Sequence, residues 1–477
     1  MKNILYILLA VFTLTSCEDY LDVKPDKNRQ EIEFVSDIDL IFERTFVGYQ
    51  TAVDFPSITG DVTYYKDAYN MLSSQIPLTA VQESVWKDEL STVTDQTWSQ
   101  AYEAIWFANY VIGSIDGLEG DATDKSNLKA EAYLIKALKQ FNLALKYSLY
   151  PSAENKDELG IVIKNETAFG QTTVRASLEE TFAQIESDLI EGLTINKARA
   201  NSWRESDASA AALAARYYLY VHDFVNAKKY AEMALSLHSE MVNLENDIFL
   251  VPSFGGNLTG HTAFIGAYAP EFYTCWDSQY KIYYDLNNPY KMASNELLAM
   301  YQPEDLRLQY FYSDALLSTF FGLTEDNVLY NRTLQMMTGT DVSEMYMILA
   351  ECAARNNDMA TCMQHVEMVR ENRFAAADYT ALPIPGTAKE AIELIVDERW
   401  REFAFTSLRW YDVKRLNAEG LIDPIILSKD YYEVGETAVD FDTPKVYTLE
   451  ANSRKYARPI PQEVIILTKG SVKQNTY

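Results

Sequence analysis

Aromatic rings interleaved with carboxylates and amides recur in this chain in stretches that carry no helical period. EFYTCWDSQYKIYYDLNN, residues 271–288, sets Trp276, Tyr280, Tyr283 and Tyr284 beside Asp277 and Asn287. GDVTYYKDAYN, residues 60–70, offers Tyr64 and Tyr65 near Asp61 and Lys66, and Trp86 follows in the same loop-like region. YFYSDALLSTFF, residues 310–321, is a third, more apolar cluster. Flat ring faces suit the apolar surface of a ligand, and adjacent polar groups suit its hydrogen-bonding groups. That is the usual build of a ligand pocket, apolar walls with a few placed polar groups. The candidate ligand-binding set is Trp276, Tyr280, Tyr283, Tyr284, Tyr64, Tyr65, Trp86, Asp277 and Asn287. Tyrosines that fall in a helical period are read as core and left out, although the chain holds 33 Tyr against 21 Phe.

A different chemistry would need paired carboxylates. DERWREFAFTSLRWYDVKRLN, residues 397–417, is rich in them. On a helix, however, Glu398 neighbours Arg401 at i+3 and Glu402 at i+4, so basic and acidic groups share one turn. Trp400, Phe403 and Trp410 add apolar surface. A salt-bridged structural helix is the expectation, with no catalytic residue.

The other common chemistries are not supported. There is no GxSxG, P-loop or GxGxxG. After Cys17 only Cys275, Cys352 and Cys362 remain, and the four His residues are scattered singly. That fits neither a disulfide framework nor a zinc site. No Asp-rich EF-hand loop exists, so no metal and no cofactor is expected. With 41 basic and 69 acidic residues the formal charge is −28, which repels phosphate backbones and excludes nucleic acid as a partner.

The elements that position the aromatic loops read as helices. Trp98, Tyr102, Ile105, Asn109 and Ile112 fall on one face, and Leu128, Ala132, Ile135, Leu138, Phe141 and Leu145 on another. These two would form one pair. Ser177 and Glu180 make a capping box ahead of Phe182, Ile185, Leu189 and Leu193. AALAARYYLYVHDFVNAKKYAEMALSL, residues 211–237, places small residues before and after a turn at His222-Asp223. SEMYMILAECAARNNDMATCMQHVEMVRENR, residues 343–373, does so around Asn356-Asn357-Asp358. Both resemble tetratricopeptide repeats, whose antiparallel pairs stack into a superhelix. Segments 177–196 and 205–237 are expected to pair, and another pair begins at a Thr387/Glu390 capping box. The fold class is thus mainly α: a repeat superhelix of about four helix pairs, over about 91–237 and 341–416. It is interrupted by a loop-rich subdomain of short helices and small strands at about 238–340, 374–386 and 417–477. Loops on a rigid scaffold are where binding residues concentrate.

The N-terminus supplies an address. MKNILYILLAVFTLTS carries Lys2 and an apolar run from Ile4 to Leu14, about half the roughly 20 residues of a spanning helix. It reads as a signal peptide over 1–16. Leu14-Thr15-Ser16-Cys17 resembles the lipobox of bacterial lipoproteins, which implies a lipid on Cys17 and a mature chain 17–477. Glu18 and Asp19 resemble the acidic tags that send Bacteroidetes lipoproteins to the cell surface.

Residues 397–417 also resemble the signature of the SusD-like (RagB-like) outer-membrane lipoproteins, through Glu398, Arg399, Glu402, Phe405, Arg409, Trp410, Asp412 and Arg415. CEDYLDVKP at the mature start and YARPIPQEVI at 456–465 agree in order, and SEMYMILAECAA and PEDLRLQYF fit between them. Thr406-Ser407-Leu408 departs from the Glu-Gly usual there, which bears on local packing. The resemblance implies a single SusD-like domain without a catalytic centre, lipid-anchored in the outer membrane and facing the exterior. Such a protein captures oligosaccharide or polysaccharide, which makes the aromatic set above the expected glycan-binding candidates, and passes the glycan to a SusC-like TonB-dependent transporter. Two other readings stay open. A peptide-capturing or protein-interaction repeat scaffold would use the same helices. A secreted glycoside hydrolase would need two carboxylates about 5–10 Å apart, which counting acidic residues cannot exclude.

Overall fold

The computed structural model describes residues 32–43, 56–66, 69, 72, 76–90, 96–168, 170, 173–200, 204–252, 261–265, 272–275, 292–313, 329–330, 339–406, 408–435 and 438–477. Three short helices and one strand come first: α1 (Val35–Glu43), α2 (Pro56–Thr59), β1 (Val62–Thr63) and α3 (Leu78–Ser84). Long helices follow as α4 (Gln96–Ser114), α5 (Ala122–Tyr147), α6 (Leu178–Gly192), α7 (Asp207–Tyr220) and α8 (Phe224–Leu237). The middle of the chain holds β2 (Ile248–Pro252), β3 (His261–Ile265), β4 (Phe272–Cys275), β5 (Met292–Ala293), α9 (Asn295–Ala299), α10 (Leu306–Phe311), β6 (Tyr312–Ser313), β7 (Leu329–Tyr330) and β8 (Gly339–Asp341). Helices return as α11 (Val342–Arg355), α12 (Met359–Arg370), α13 (Ala388–Glu402) and α14 (Leu408–Glu419), before β9 (Leu427–Tyr431), β10 (Lys445–Leu449) and α15 (Gln462–Leu467). The fold is mainly helical, as the periodicity predicts.

Repeats are visible in the turns as well as in the helices. α7 and α8 form a hairpin, and so do α11 and α12. In the first, His222 takes φ +63° and Asp223 then caps α8 by accepting from the Asn226 N–H at 3.0 Å. In the second, Asn357 takes φ +58° and Asp358 caps α12 by accepting from the Thr361 N–H at 3.1 Å. A left-handed residue followed by an N-cap Asp is thus used twice at one place in the repeat. Alanines 211, 214, 215, 227, 231 and 234 are all fully buried, so the two helices of the first hairpin approach closely. Both expected capping boxes are present: Glu180 N–H to Ser177 Oγ at 3.1 Å and Glu390 N–H to Thr387 Oγ1 at 3.2 Å. The pairing differs in one respect. α6 packs chiefly on α5, which also pairs with α4, while 205–237 closes on itself as α7 and α8.

The small strands lie beside this scaffold. β1, β5, β7 and β6 form a four-stranded sheet in that order, and β9–β10, β2–β3 and β4–β8 are antiparallel ribbons. A second core, with Val62, Tyr69, Val81, Leu297, Phe311 and Tyr431, sits under the four-stranded sheet, apart from the main core along the repeats. Among the described residues no helix is long and apolar enough to cross a membrane, and no group of three metal-ligating side chains converges. Cys352 and Cys362 are buried, and burial pushes their thiols up to about 12 and about 11, which leaves them inert packing groups.

Candidate functional site

The antiparallel pairing of β1 with β5 joins segments more than two hundred residues apart in the chain. Val62 stands opposite Ala293 and Thr63 opposite Met292. Immediately after β1, the Tyr65 hydroxyl donates to the Ala293 carbonyl at 3.4 Å. The 271–288 stretch runs out of β4, which pairs with β8, and ends just before β5. The flanks of both stretches therefore meet at one edge of the sheet. Tyr65 is half-buried there.

The β9–β10 ribbon completes this corner. Tyr69 is buried and its hydroxyl accepts from the Tyr432 N–H at 3.2 Å. Its ring makes edge contacts with Tyr431, Tyr432 and Phe441, at centroid distances of 6.0, 5.0 and 6.4 Å. Burial raises its hydroxyl pKa far above the ordinary range, so it stays neutral. Lys66 lies over the Tyr432 ring at 5.9 Å and Lys87 over Tyr431 at 3.9 Å. Tyr432, Phe441 and Tyr447 are half-buried. None of these three was expected from sequence; the Tyr431-Tyr432 doublet in a non-periodic stretch was the available signal.

Two of the expected residues are corrected. Trp86 is 1% exposed, its Nε1 donates to the Ile58 carbonyl at 2.9 Å, and Lys429 lies 5.7 Å from its ring. Tyr64 is 5% exposed inside the second core. Neither offers a ring to a ligand, because Trp86 is packed in the main core and Tyr64 in the second. Tyr65 is half-buried beside β5. Trp276, Asp277, Tyr280, Tyr283, Tyr284 and Asn287 lie outside the described residues, as does Cys17.

The acidic signature is structural. Glu398 Oε2 accepts from Arg370 at 3.1 Å and Arg401 at 2.7 Å, and its Oε1 faces Arg307 at 2.8 Å. Glu402 receives Arg307 at 2.9 Å and Arg373 at 2.7 Å. Arg399 donates to Asp412 at 2.7 Å, and Arg415 bridges Asp412 and Glu351 at 2.8 and 2.7 Å. Asp61, at the start of the sheet corner, is buried and accepts from Thr59 Oγ1 at 2.6 Å and from the Trp400 indole. The signature helix thus reaches the candidate corner through Trp400 without lining it.

The SusD family model matches residues 342–477, which contain this ion-pair network. A second model, described as "Starch-binding associating with outer membrane", matches residues 19–219, which contain β1 and the first repeats. Together they span most of the chain. The chain belongs to the SusD-like family. Its SusD-like fold is shared with solved structures of low sequence identity. A SusD superfamily protein from Bacteroides thetaiotaomicron is 15% identical at a TM-score of 0.67, covering 93% of this chain and 100% of its own. A SusD-like carbohydrate binding protein from Bacteroides vulgatus is 16% identical at 0.66, covering 92% and 97%. No match was found among curated proteins.

Proposed function

We propose that this SusD-like protein binds glycans at the corner where β1, β5 and the β9–β10 ribbon meet. The observation that carries the reading is the β1–β5 pairing, which unites the Tyr65 stretch with the flank of the Trp276 stretch. The family's sugar-binding members and the outer-membrane association in the second model's description support it. Trp276, Tyr280, Tyr283 and Tyr284 supply ring faces, with Asp277 and Asn287 as hydroxyl partners. Tyr65 and the half-buried Tyr432 and Phe441 add further rings at the corner. The protein acts as a capture subunit: it holds oligosaccharide or polysaccharide and hands it to a SusC-like TonB-dependent transporter. It does no chemistry on the sugar.

The test is a glycan array followed by titration calorimetry on the best saccharide. Trp276→Ala is expected to weaken that binding by about 1–3 kcal/mol, the scale of a truncated aromatic anchor. Unchanged affinity would remove Trp276 from the site. Release of new reducing ends from the bound saccharide would instead favour the hydrolase reading. Binding to a SusC-like barrel without glycan affinity would favour the scaffold.

Location follows from Cys17. We expect acylation there, with Glu18 and Asp19 directing the anchored protein to the cell exterior. A single acyl chain holds a protein only marginally, so stable anchoring takes more than one. Cys17→Ala should abolish acylation and move the protein from the membrane to the soluble fraction on cell fractionation. A variant retained in the membrane fraction would refute the anchor.

A further inference from the structure

The first repeat carries a cavity unrelated to the sheet corner. Trp98, Tyr102 and Trp106 stand at four-residue steps along one face of α4 and line a cavity of about 250 Å³. Its opposite walls are the extended segment Val162–Ala168 and the C-terminal residues Val464, Thr468 and Val472. Trp98 forms the floor, packed against Tyr102 at 5.0 Å and Tyr147 at 5.2 Å. The Tyr102 hydroxyl donates to the Val162 carbonyl at 2.9 Å and accepts from its N–H at 3.0 Å, so that ring is fixed.

Trp106 is different. Its indole N–H donates to the Thr167 carbonyl at 3.3 Å and its ring stacks on Tyr110 at 5.9 Å and 15°. These contacts set its orientation, yet it remains 46% exposed. A large aromatic ring held by a polar anchor and left open to a cavity is costly to keep for packing alone, since full burial would gain about 25 cal/mol per Å². The cavity mouth is polar: Lys164, Glu166, Thr167 and Thr173 line it with the rings. Apolar floor and charged, hydroxyl-bearing rim together match one sugar ring, with C–H faces inward and hydroxyls at the mouth. A purely apolar guest would strip the rim of water without replacing its hydrogen bonds. The volume lies just below the usual range of about 300–1,000 Å³ for small-molecule sites, which suits a single ring rather than a chain segment.

We propose that this cavity is a second saccharide subsite, taking one pyranose unit with Trp106 as its stacking platform. The proposal rests on the glycan-binding reading above but uses different elements, α4 and the 162–168 segment instead of the sheet corner. It gives a long glycan two points of attachment, so its contribution grows with chain length.

The experiment uses a saccharide selected from the array by wild-type binding, titrated into wild type, Trp106→Ala, Trp106→Phe and Ala168→Trp. Ala168 is exposed at the cavity wall, and a bulky ring there fills it. Trp106→Ala and Ala168→Trp should each lose about tenfold in affinity, or one site in stoichiometry, for the longest saccharide bound. Trp106→Phe should keep most of the binding. Wild-type affinity and stoichiometry in both Trp106→Ala and Ala168→Trp overturn the subsite, and leave the sheet corner standing if Trp276→Ala still loses binding. Absence of saccharide binding by wild type overturns both readings together.

Discussion

Glu398→Ala is expected to lower the free energy of unfolding by about 3–5 kcal/mol, the cost of removing one partner from a buried ion cluster. Glu393→Ala, on the same helix, should leave the urea midpoint where it is. The contrast follows from burial. Glu398 is fully buried among Arg307, Arg370 and Arg401. Arg307 comes from α10 in the loop-rich part and Arg370 from α12 in the repeats, so the carboxylate ties the two parts of the molecule together. Without it, Arg370 loses its closest carboxylate, and the nearest that remains is Glu367 at 3.8 Å. Glu393 pairs with Lys389 at 3.6 Å with both side chains about 40% exposed, and Lys389 keeps Asp423 at 2.6 Å when Glu393 is gone. Exposed pairs of this kind contribute little.

The same carboxylate makes an acid-sensitive fold. Burial by itself would raise the Glu398 pKa, but the charges of Arg307, Arg401 and Arg370 outweigh it and hold the carboxyl well below the usual range. A group depressed in the folded state contributes stability that is complete above its unfolded pKa, about 4.3 for Glu, and is lost as pH falls through the folded value. Wild-type stability should therefore decline steeply below about pH 4.3, and Glu398→Ala should show a shallower decline there. Glu351, held low by Arg415 and Arg355 against its own burial, does the same, so the variant keeps part of the slope. Equal midpoints for wild type and Glu398→Ala at neutral pH would sink the argument.

The helices were legible because period, caps and turns agree. Ser177 with Glu180 and Thr387 with Glu390 sit where a capping box needs them, and His222-Asp223 and Asn357-Asp358 turn equivalent hairpins. The ion-paired character of 397–417 was legible from its i,i+3 spacing, and Arg401 does meet Glu398. Its outside partners were not, because Arg307 and Arg373 come from segments that only the tertiary fold brings in. The site was less legible, for a definable reason. Lack of helical period does not mark exposed loops here: Trp86 and Tyr64 lie in non-periodic stretches and are buried. Trp86 packs into the main core and Tyr64 into the second. Conversely, Trp106 was overlooked on a helix whose neighbouring stripe is core. It stands one residue beyond Ile105 and turns toward the cavity.

Gly160→Ala is expected to cost about 3 kcal/mol, at the upper end of overpacking, though it adds a single methyl. Gly160 sits in the seam between the extended segment after Glu158 and the first turn of α6. Its N–H donates to the Ala176 carbonyl at 2.8 Å, and its carbonyl accepts from Arg175 Nε at 2.7 Å. A Cβ there would stand 2.6 Å from the Ser177 carbonyl oxygen and press on the Thr181 side chain. The Ser177 carbonyl is backbone, and it already accepts the Thr181 N–H at 2.9 Å in the first helical turn. Thr181 Oγ1 holds the Ile161 N–H at 3.1 Å. Nothing in that set is the free end of a flexible chain, so the seam itself must open. Opening it moves Val162, which anchors Tyr102, and with it the wall opposite Trp106. Gly160→Ala should therefore lower the urea midpoint and also weaken binding at the α4 cavity. Gly113→Ala makes the opposite case. Gly113 lies exposed on α4 with nothing within 4 Å of an added Cβ, so alanine should stabilise by about 0.5–1 kcal/mol through helix propensity. If both variants shift the midpoint in the same direction, the seam is not as tight as these distances require.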